Sequence, residues 1–345
     1  MAVLQARKQP LLLITYPRSA SNLLVKILSL HEQQEAVSRE SGGYFFFPAA
    51  ASMNQTGLLH RPQAEWSLSD AGELRQKYQA CYDELQQLLD EATLQGKMAV
   101  TKEHAPFLMS PTAVSDFLHG SVNAGVPWKV DVPQPYRSIP VTPSPAHVNP
   151  SVLPDEFLLH CTPAFLIRHP ALAFPSYYRL VLSFSDGDMA RVEEKMVPYI
   201  AIGCTLQWTR QLYDWYAAAW AEQGLASEGP IVLDADDMIQ DPAVILRFCS
   251  LVGLDQEKVR FHWEPLTEDK QGAVSAVSAK SRATLHSSSG ITHGKTFDGL
   301  TIEGEAEKWR TEFGEHVGSR IEAWVRAAMP DYTYLVGKKL VTKPQ

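Results

Sequence analysis

The side chains best suited to chemistry in this chain are a few cations and one histidine, each set just after a short apolar run. Arg18-Ser19-Ala20-Ser21-Asn22-Leu23 follows the run Leu11 to Ile14 and leads into the periodic set Leu23, Leu24, Ile27 and Leu28. The first run reads as a buried strand and the second as one face of an amphipathic helix. A strand that enters a helix through small hydroxyl residues aims backbone N–H groups and the positive end of the helix dipole at one point. Such a loop is an anion site, or else a plain βα turn that binds nothing. Lys102 and His104 come after Met98 to Thr101, a second core-strand pattern. A neutral imidazole can take a proton from a hydroxyl nucleophile near pH 7, and a neighbouring ammonium can neutralise charge on a leaving oxygen. His104 is one of 11 histidines, and capping a loop is its alternative role. Arg168 follows Phe165-Leu166-Ile167, and its planar, permanently charged fork suits a phosphate. A helix-start or surface arginine would look the same in isolation.

The elements that must position these groups follow from periodicity. Strands are expected at 11–15, 97–101, 163–167 and 230–234, each followed by a turn and usually by a helical pattern. Alternation of this kind implies an α/β fold, a mainly parallel central sheet with helices on both faces. Ligands in such sheets sit beyond the carboxyl ends of the strands, where Arg18, His104 and Arg168 all fall. A single site is therefore expected. Amphipathic helices are expected over 70–95, 206–221 and 303–328. In the second, Trp208, Leu212, Trp215, Tyr216 and Ala219 share a face and read as core. In the last, Trp309, Phe313, Ile321, Trp324 and Val325 do the same. Pro175 falls where a helix begun at Pro170 should already be running, so a kink or a delayed start is expected.

Composition narrows the partners. With 345 residues and 45% apolar content, the chain can bury a full core as one large domain. A net charge of −8 argues against nucleic acid or an anionic membrane surface as partner. Cys81, Cys161, Cys204 and Cys249 are widely spaced and suggest neither a disulfide framework nor a zinc site. No apolar run reaches transmembrane length and the N-terminus lacks the layout of a signal peptide, so a cytoplasmic location is expected. No metal is implied by any cluster of ligating residues. The loop at Arg18 is neither a Walker A sequence nor a dinucleotide fingerprint.

Tyr16-Pro17-Arg18-Ser19-Ala20-Ser21-Asn22-Leu23 resembles the 5′-phosphosulfate loop of sulfotransferases that use 3′-phosphoadenosine 5′-phosphosulfate (PAPS). It departs at Ala20, where that family favours glycine, and at Asn22, where it favours a hydroxyl. Arg168-His169-Pro170 with Ser176 eight positions after the arginine resembles the family's 3′-phosphate motif. Lys102-Glu103-His104-Ala105-Pro106 resembles its Lys-Thr-His-x-Pro, with Glu103 in place of a hydroxyl residue. Asp234 to Pro242 and Glu307 to Phe313 are softer matches; Ala235 stands where a tyrosine would line the adenine pocket. The Arg-Lys-Gly that grips the 3′-phosphate is absent, and His293-Gly294-Lys295 is the nearest substitute. The segment from Phe165 to Arg179 is similar to divergent sulfotransferase-like proteins of fungi.

The resemblance implies a P-loop-like sulfotransferase fold across 1–345 as one domain, and transfer of a sulfuryl group from PAPS. The implied acceptor is a hydroxyl on a small molecule, aromatic or polycyclic. His104 would be the base and Lys102 would assist the leaving group. Arg18 and the backbone from Ser19 through Ala20, Ser21 and Asn22 to Leu23 would hold the phosphosulfate; Arg168, Ser176 and Lys295 would hold the 3′-phosphate. The alternatives are a nucleotide kinase or NTPase on the same scaffold, and a non-catalytic member that kept only the phosphate cradle. Alternation along an extended segment should turn the Glu103 side chain away from His104. Three irregular stretches remain. Residues 42–53 are a buried strand or an aromatic wall. Residues 125–150 form a Pro-rich insertion whose Trp128 and Tyr136 could serve a lid. Residues 270–300 are a possible flap.

Overall fold

The computed structural model describes residues 8–39, 42–120, 128–137, 147–224, 229–265, 280 and 285–342. Five strands form one parallel sheet: β1 (Leu11–Thr15), β2 (Ala36–Val37), β3 (Met98–His104), β4 (Thr162–Ile167) and β5 (Ile231–Asp234). Their order is β2-β3-β1-β4-β5, with helices around the sheet. Every residue of β1 and β3 is buried, as strands covered on both faces require. The sheet matches the α/β expectation, and three of the four expected strands begin and end within one residue of their expected limits.

β3 is the exception. It continues past the expected 97–101 through Lys102, Glu103 and His104. The cause is pairing on both edges: Leu13, Ile14 and Thr15 of β1 lie in register with Lys102, Glu103 and His104. On the other edge Gly43 bridges Lys102, whose N–H donates to the Gly42 carbonyl at 2.7 Å while its own carbonyl accepts from the Tyr44 N–H at 2.8 Å. Lys102 and His104 therefore stand within a strand, on one face of it, and not on the turn beyond.

The chain divides into two compact units. The first takes the described residues within Met1–Tyr16, Leu30–Phe165 and Gln207–Ile231, and the second those within Pro17–Ser29, Leu166–Leu206 and Val232–Gln345. In the first unit the helix Leu68–Leu94 starts with a reciprocal cap between Ser67 and Asp70 and buries Leu74, Tyr78, Leu85, Leu88 and Leu89. It is the amphipathic cover that the sequence implies. The helix Gln207–Glu222 buries Trp208, Leu212, Trp215, Tyr216 and Ala219, and Tyr213 and Tyr216 meet Phe165 of β4 edge-on. That aromatic stripe is core. Trp128 and Tyr136 are also packing residues. Trp128 meets Tyr78 edge-on at 5.5 Å, and the Tyr136 hydroxyl donates to Asp90, so both are tied to the long helix. Residues 125–127 and 138–146 of the Pro-rich insertion, and 270–279 and 281–284 of the expected flap, lie outside the described residues.

In the second unit the helix Pro170–Phe184 begins at Pro170 and continues through Pro175, so its start is not delayed. Loss of one backbone hydrogen bond is offset because Ala173, Phe174, Pro175, Tyr177 and Tyr178 are all buried there. The helix Ile302–Val336 is longer than expected and bends at Gly314, whose φ of 80° interrupts the ladder. Trp309, Phe313, Ile321 and Val325 face inward, while Trp324 lies partly exposed beneath Arg320. Trp309 and Phe313 are thus core residues of this helix.

Candidate functional site

The loop between β1 and the helix Ser21–Leu28 lies in the second unit from Pro17 onward. Two of its non-glycine residues hold positive φ, Arg18 at 64° and Ala20 at 66°. Ala20 is the helix N-cap in the left-handed region and offers no side-chain cap, and the first turn carries no acidic residue. An α-helix cannot bond its own first N–H groups internally, and an anion is one group that could meet them here. The family's preference for glycine at position 20 now has a cause, since a Cβ is tolerated there only under strain of about 1–2 kcal/mol. Ser19 is fully buried, and its hydroxyl has no hydrogen-bond partner. A buried hydroxyl in this state is costly unless a ligand meets it.

Three cations meet around this loop. The Arg18 Nε donates to Ser176 Oγ at 2.9 Å, which joins the two motifs read from sequence. Arg168 donates from one terminal nitrogen to the Arg18 carbonyl at 3.1 Å and from the other to the Lys295 carbonyl at 2.9 Å. The Lys295 ammonium is held below its ordinary pKa by partial desolvation, then by Arg168 and Arg18. Like charges gathered this way need an anion to relieve them. The segment around Lys295 is fastened from below. The Phe297 N–H donates to Asp236 at 2.8 Å, and the Phe297 ring stacks on His169 with centroids 3.4 Å apart and planes 4° from parallel. His169 caps the helix Pro170–Phe184 by accepting from the Ala171 N–H, and burial lowers its pKa to about 4. Asp236, His169 and Phe297 were not legible as a group, because 60 or more residues separate them in sequence.

The second cluster, in the first unit, surrounds the strand ends. His104 Nδ1 lies 2.7 Å from the Thr15 hydroxyl, which also donates to the Glu103 carbonyl at 3.1 Å. Both contacts are satisfied at once when the hydroxyl proton goes to the carbonyl and Nδ1–H donates to Thr15. The Nε2 lone pair is then the basic one. Lys102 is 1% exposed, and its Nζ sits 4.2 Å above the Tyr44 ring. His104 is bordered by Tyr44 at 4.6 Å and Phe107 at 5.1 Å, with Phe47 against Phe107. Residues 42–53 are thus neither a strand nor a plain wall. Gly43 bridges β3, Phe46 enters the core, and Tyr44 and Phe47 stand half-exposed near the imidazole.

Glu103 lies on the opposite face of β3, fully buried, and accepts from the backbone N–H groups of Phe45 and Phe46. Its carboxyl is pushed up to about 8, chiefly by burial. Alternation along the strand does turn it from His104. The sequence assigns Thr15 no part, and Tyr44 only a place in the aromatic segment 42–53. The pair Gly42-Gly43 was the available signal, since a Cβ on Gly43 would lie 2.1 Å from the Lys102 carbonyl oxygen. Ala235 is fully buried at the start of the helix Ala235–Gln240. Among the described residues no group of His, Cys, Asp and Glu could hold a metal, and no helix is long and apolar enough to cross a membrane.

A five-strand parallel sheet with helices around it, a strand-to-helix turn after its central strand and a Lys-x-His on the next strand match what the sulfotransferase resemblance implies. The chain belongs to the sulfotransferase family. It is 38% identical over 336 residues to the sulfotransferase ppzF of Metarhizium rileyi, covering 95% of each chain. The ppzF of Metarhizium majus is likewise 38% identical over 338 residues, covering 95% of this chain and 96% of its own. No family model matches the sequence. Among solved structures, the sulfotransferase domain of the Synechococcus PCC 7002 olefin synthase aligns with 91% of this chain and 98% of its own, at TM-score 0.38 and 11% identity. That of the curacin biosynthetic pathway aligns with 93% and 99%, at TM-score 0.37 and 11% identity.

Proposed function

We propose that this protein, acting as one catalytic domain, moves a sulfuryl group from PAPS to a hydroxyl of a small aromatic or polycyclic acceptor. The observation that carries the proposal is the gathering of Arg18, Arg168 and Lys295 at a helix N-terminus that no side chain caps. The buried, unmet Ser19 hydroxyl fits the same anion. PAPS, when bound, supplies the activated sulfuryl group and a nucleotide leaving group.

Each residue's part follows from its setting. Arg18 and the N–H groups from Ser19 to Leu23 hold the 5′-phosphosulfate. Arg168, Ser176 and Lys295 hold the 3′-phosphate. His104 takes the acceptor proton at Nε2, while Thr15 fixes Nδ1–H and the ring plane. Lys102 places a positive charge for the oxygen that accumulates negative charge as the nucleotide departs. Tyr44, Phe47 and Phe107 give the imidazole an aromatic border, which favours a planar, apolar acceptor.

Calorimetry tests the nucleotide half. 3′,5′-Adenosine bisphosphate should bind far more tightly than 5′-AMP, and without magnesium. Equal affinity for the two would sink the assignment, and tighter magnesium-dependent binding of ATP would favour a kinase or NTPase.

A further inference from the structure

The residue at 103 departs from the family pattern, and the structure shows what the replacement does. β3 carries three consecutive titratable side chains, all buried: Lys102 and His104 on one face and Glu103 on the other. One oxygen of Glu103 accepts from two successive N–H groups, those of Phe45 and Phe46. The residue before them is Tyr44, held at φ 75°, a backbone region that a bulky aromatic enters only when its surroundings impose it. The surroundings do so from both sides. The Gly42 carbonyl and Tyr44 N–H are bonded to the two backbone groups of Lys102, and the Gly43 backbone lies too close to Lys102 for any side chain. Tyr44 is thereby turned back over β3, with its ring 4.2 Å from the Lys102 ammonium and 4.6 Å from the His104 ring.

We infer that Tyr44 is a positioning residue that sets Lys102 and His104 relative to each other, and that the Glu103 carboxyl works through it by fastening the Tyr44–Phe46 backbone to β3. The assignment of reactive parts to Lys102 and His104 is the functional reading above, on which this inference rests. The ring gives the ammonium an attractive face in a site where it is almost wholly desolvated. It also limits the rotamers open to both side chains. A hydroxyl at position 103 would be too short to span to both N–H groups, so the carboxyl and the strained tyrosine belong together.

Paired variants test this in the full-length protein. Tyr44→Leu and Glu103→Leu should each lower kcat by about 10- to 100-fold. Affinity for 3′,5′-adenosine bisphosphate should stay within about twofold, because that ligand is held elsewhere. Tyr44→Phe keeps the ring and Glu103→Gln keeps an accepting oxygen, so both should restore most of the rate. NMR supplies a readout that needs no turnover. The Tyr44 ring current should displace the Lys102 methylene and His104 ring signals in wild type and in Tyr44→Phe, and the displacement should vanish in both leucine variants. If Glu103→Leu does not fold, the Tyr44 pair still decides. A Tyr44→Leu protein with unchanged displacement, or with its rate intact, would overturn the inference. Should wild type sulfate no acceptor at all, the functional reading fails while the NMR comparison still tests the clamp.

Discussion

His104 and Thr15 show how one hydroxyl can decide what a ring nitrogen does. With Nδ1–H committed to Thr15, the basic nitrogen is Nε2, and the ring cannot rotate without breaking that bond. Thr15→Val should lower kcat by about 10- to 100-fold with nucleotide affinity unchanged, and Thr15→Ser should recover the rate. His104→Ala should abolish turnover while calorimetry of the bisphosphate stays near wild type. A His104→Ala enzyme at wild-type rate would place the base elsewhere. Arg168→Ala should remove most of the preference for the bisphosphate over 5′-AMP. It should also loosen the Lys295 segment, whose carbonyl Arg168 holds.

At the scale of elements, the anion loop and the Gly42–Phe46 segment both keep non-glycine residues at positive φ. The loop does so at Arg18 and Ala20, the segment at Tyr44. Ala20→Gly relieves strain in the fold but also frees the unfolded chain, so the net change in stability should lie within about 1 kcal/mol of zero. Gly43→Ala is the opposite case. Its Cβ would meet the Lys102 carbonyl and amide at 2.1 and 2.6 Å, so β3 and the bridging segment must part. A loss of about 3 kcal/mol or more in urea unfolding is expected, with a larger fall in kcat than in nucleotide affinity. A Gly43→Ala protein of wild-type stability would show that the segment is not pinned to β3.

Across the whole molecule, two buried groups should shape stability against pH in opposite directions. Glu103 rises from 4.5 to about 8 in the fold, so it binds a proton that the unfolded chain would release. Its contribution is complete below 4.5 and is lost as pH rises toward 8. His169 falls from 6.5 to about 4, so its neutral ring is favourable above 6.5 and that advantage is lost as pH falls toward 4. Unfolding free energies at pH 4.5, 6.5 and 8 check both. Glu103→Gln should gain on wild type as pH rises, and His169→Asn, which keeps a helix cap, should gain as pH falls. Parallel curves for wild type and either variant would show that the group does not titrate as its burial requires.

The sequence alone determined the parallel sheet and the family, and it marked the loop at Arg18 and the Lys-x-His that carry the proposed site, because each depends on local order. Apolar runs of strand length, a loop of small hydroxyl residues, and a Lys-x-His at a strand's end are all contained within about ten residues. Strand alternation also placed Glu103 opposite His104 without any coordinates. Only the tertiary structure decided what surrounds these groups. Continuation of β3 through His104 depends on pairing with Gly43 and β1, partners 59 and 89 residues away. Pro175 kept its helix because its neighbours are buried, which propensity does not register. The Thr15 bond that sets the imidazole, the Glu103 hold on Phe45 and Phe46, and the His169–Phe297 stack all join residues far apart in the chain. Such contacts leave no periodic trace in sequence, since they depend on which backbone groups the completed sheet brings within hydrogen-bonding range.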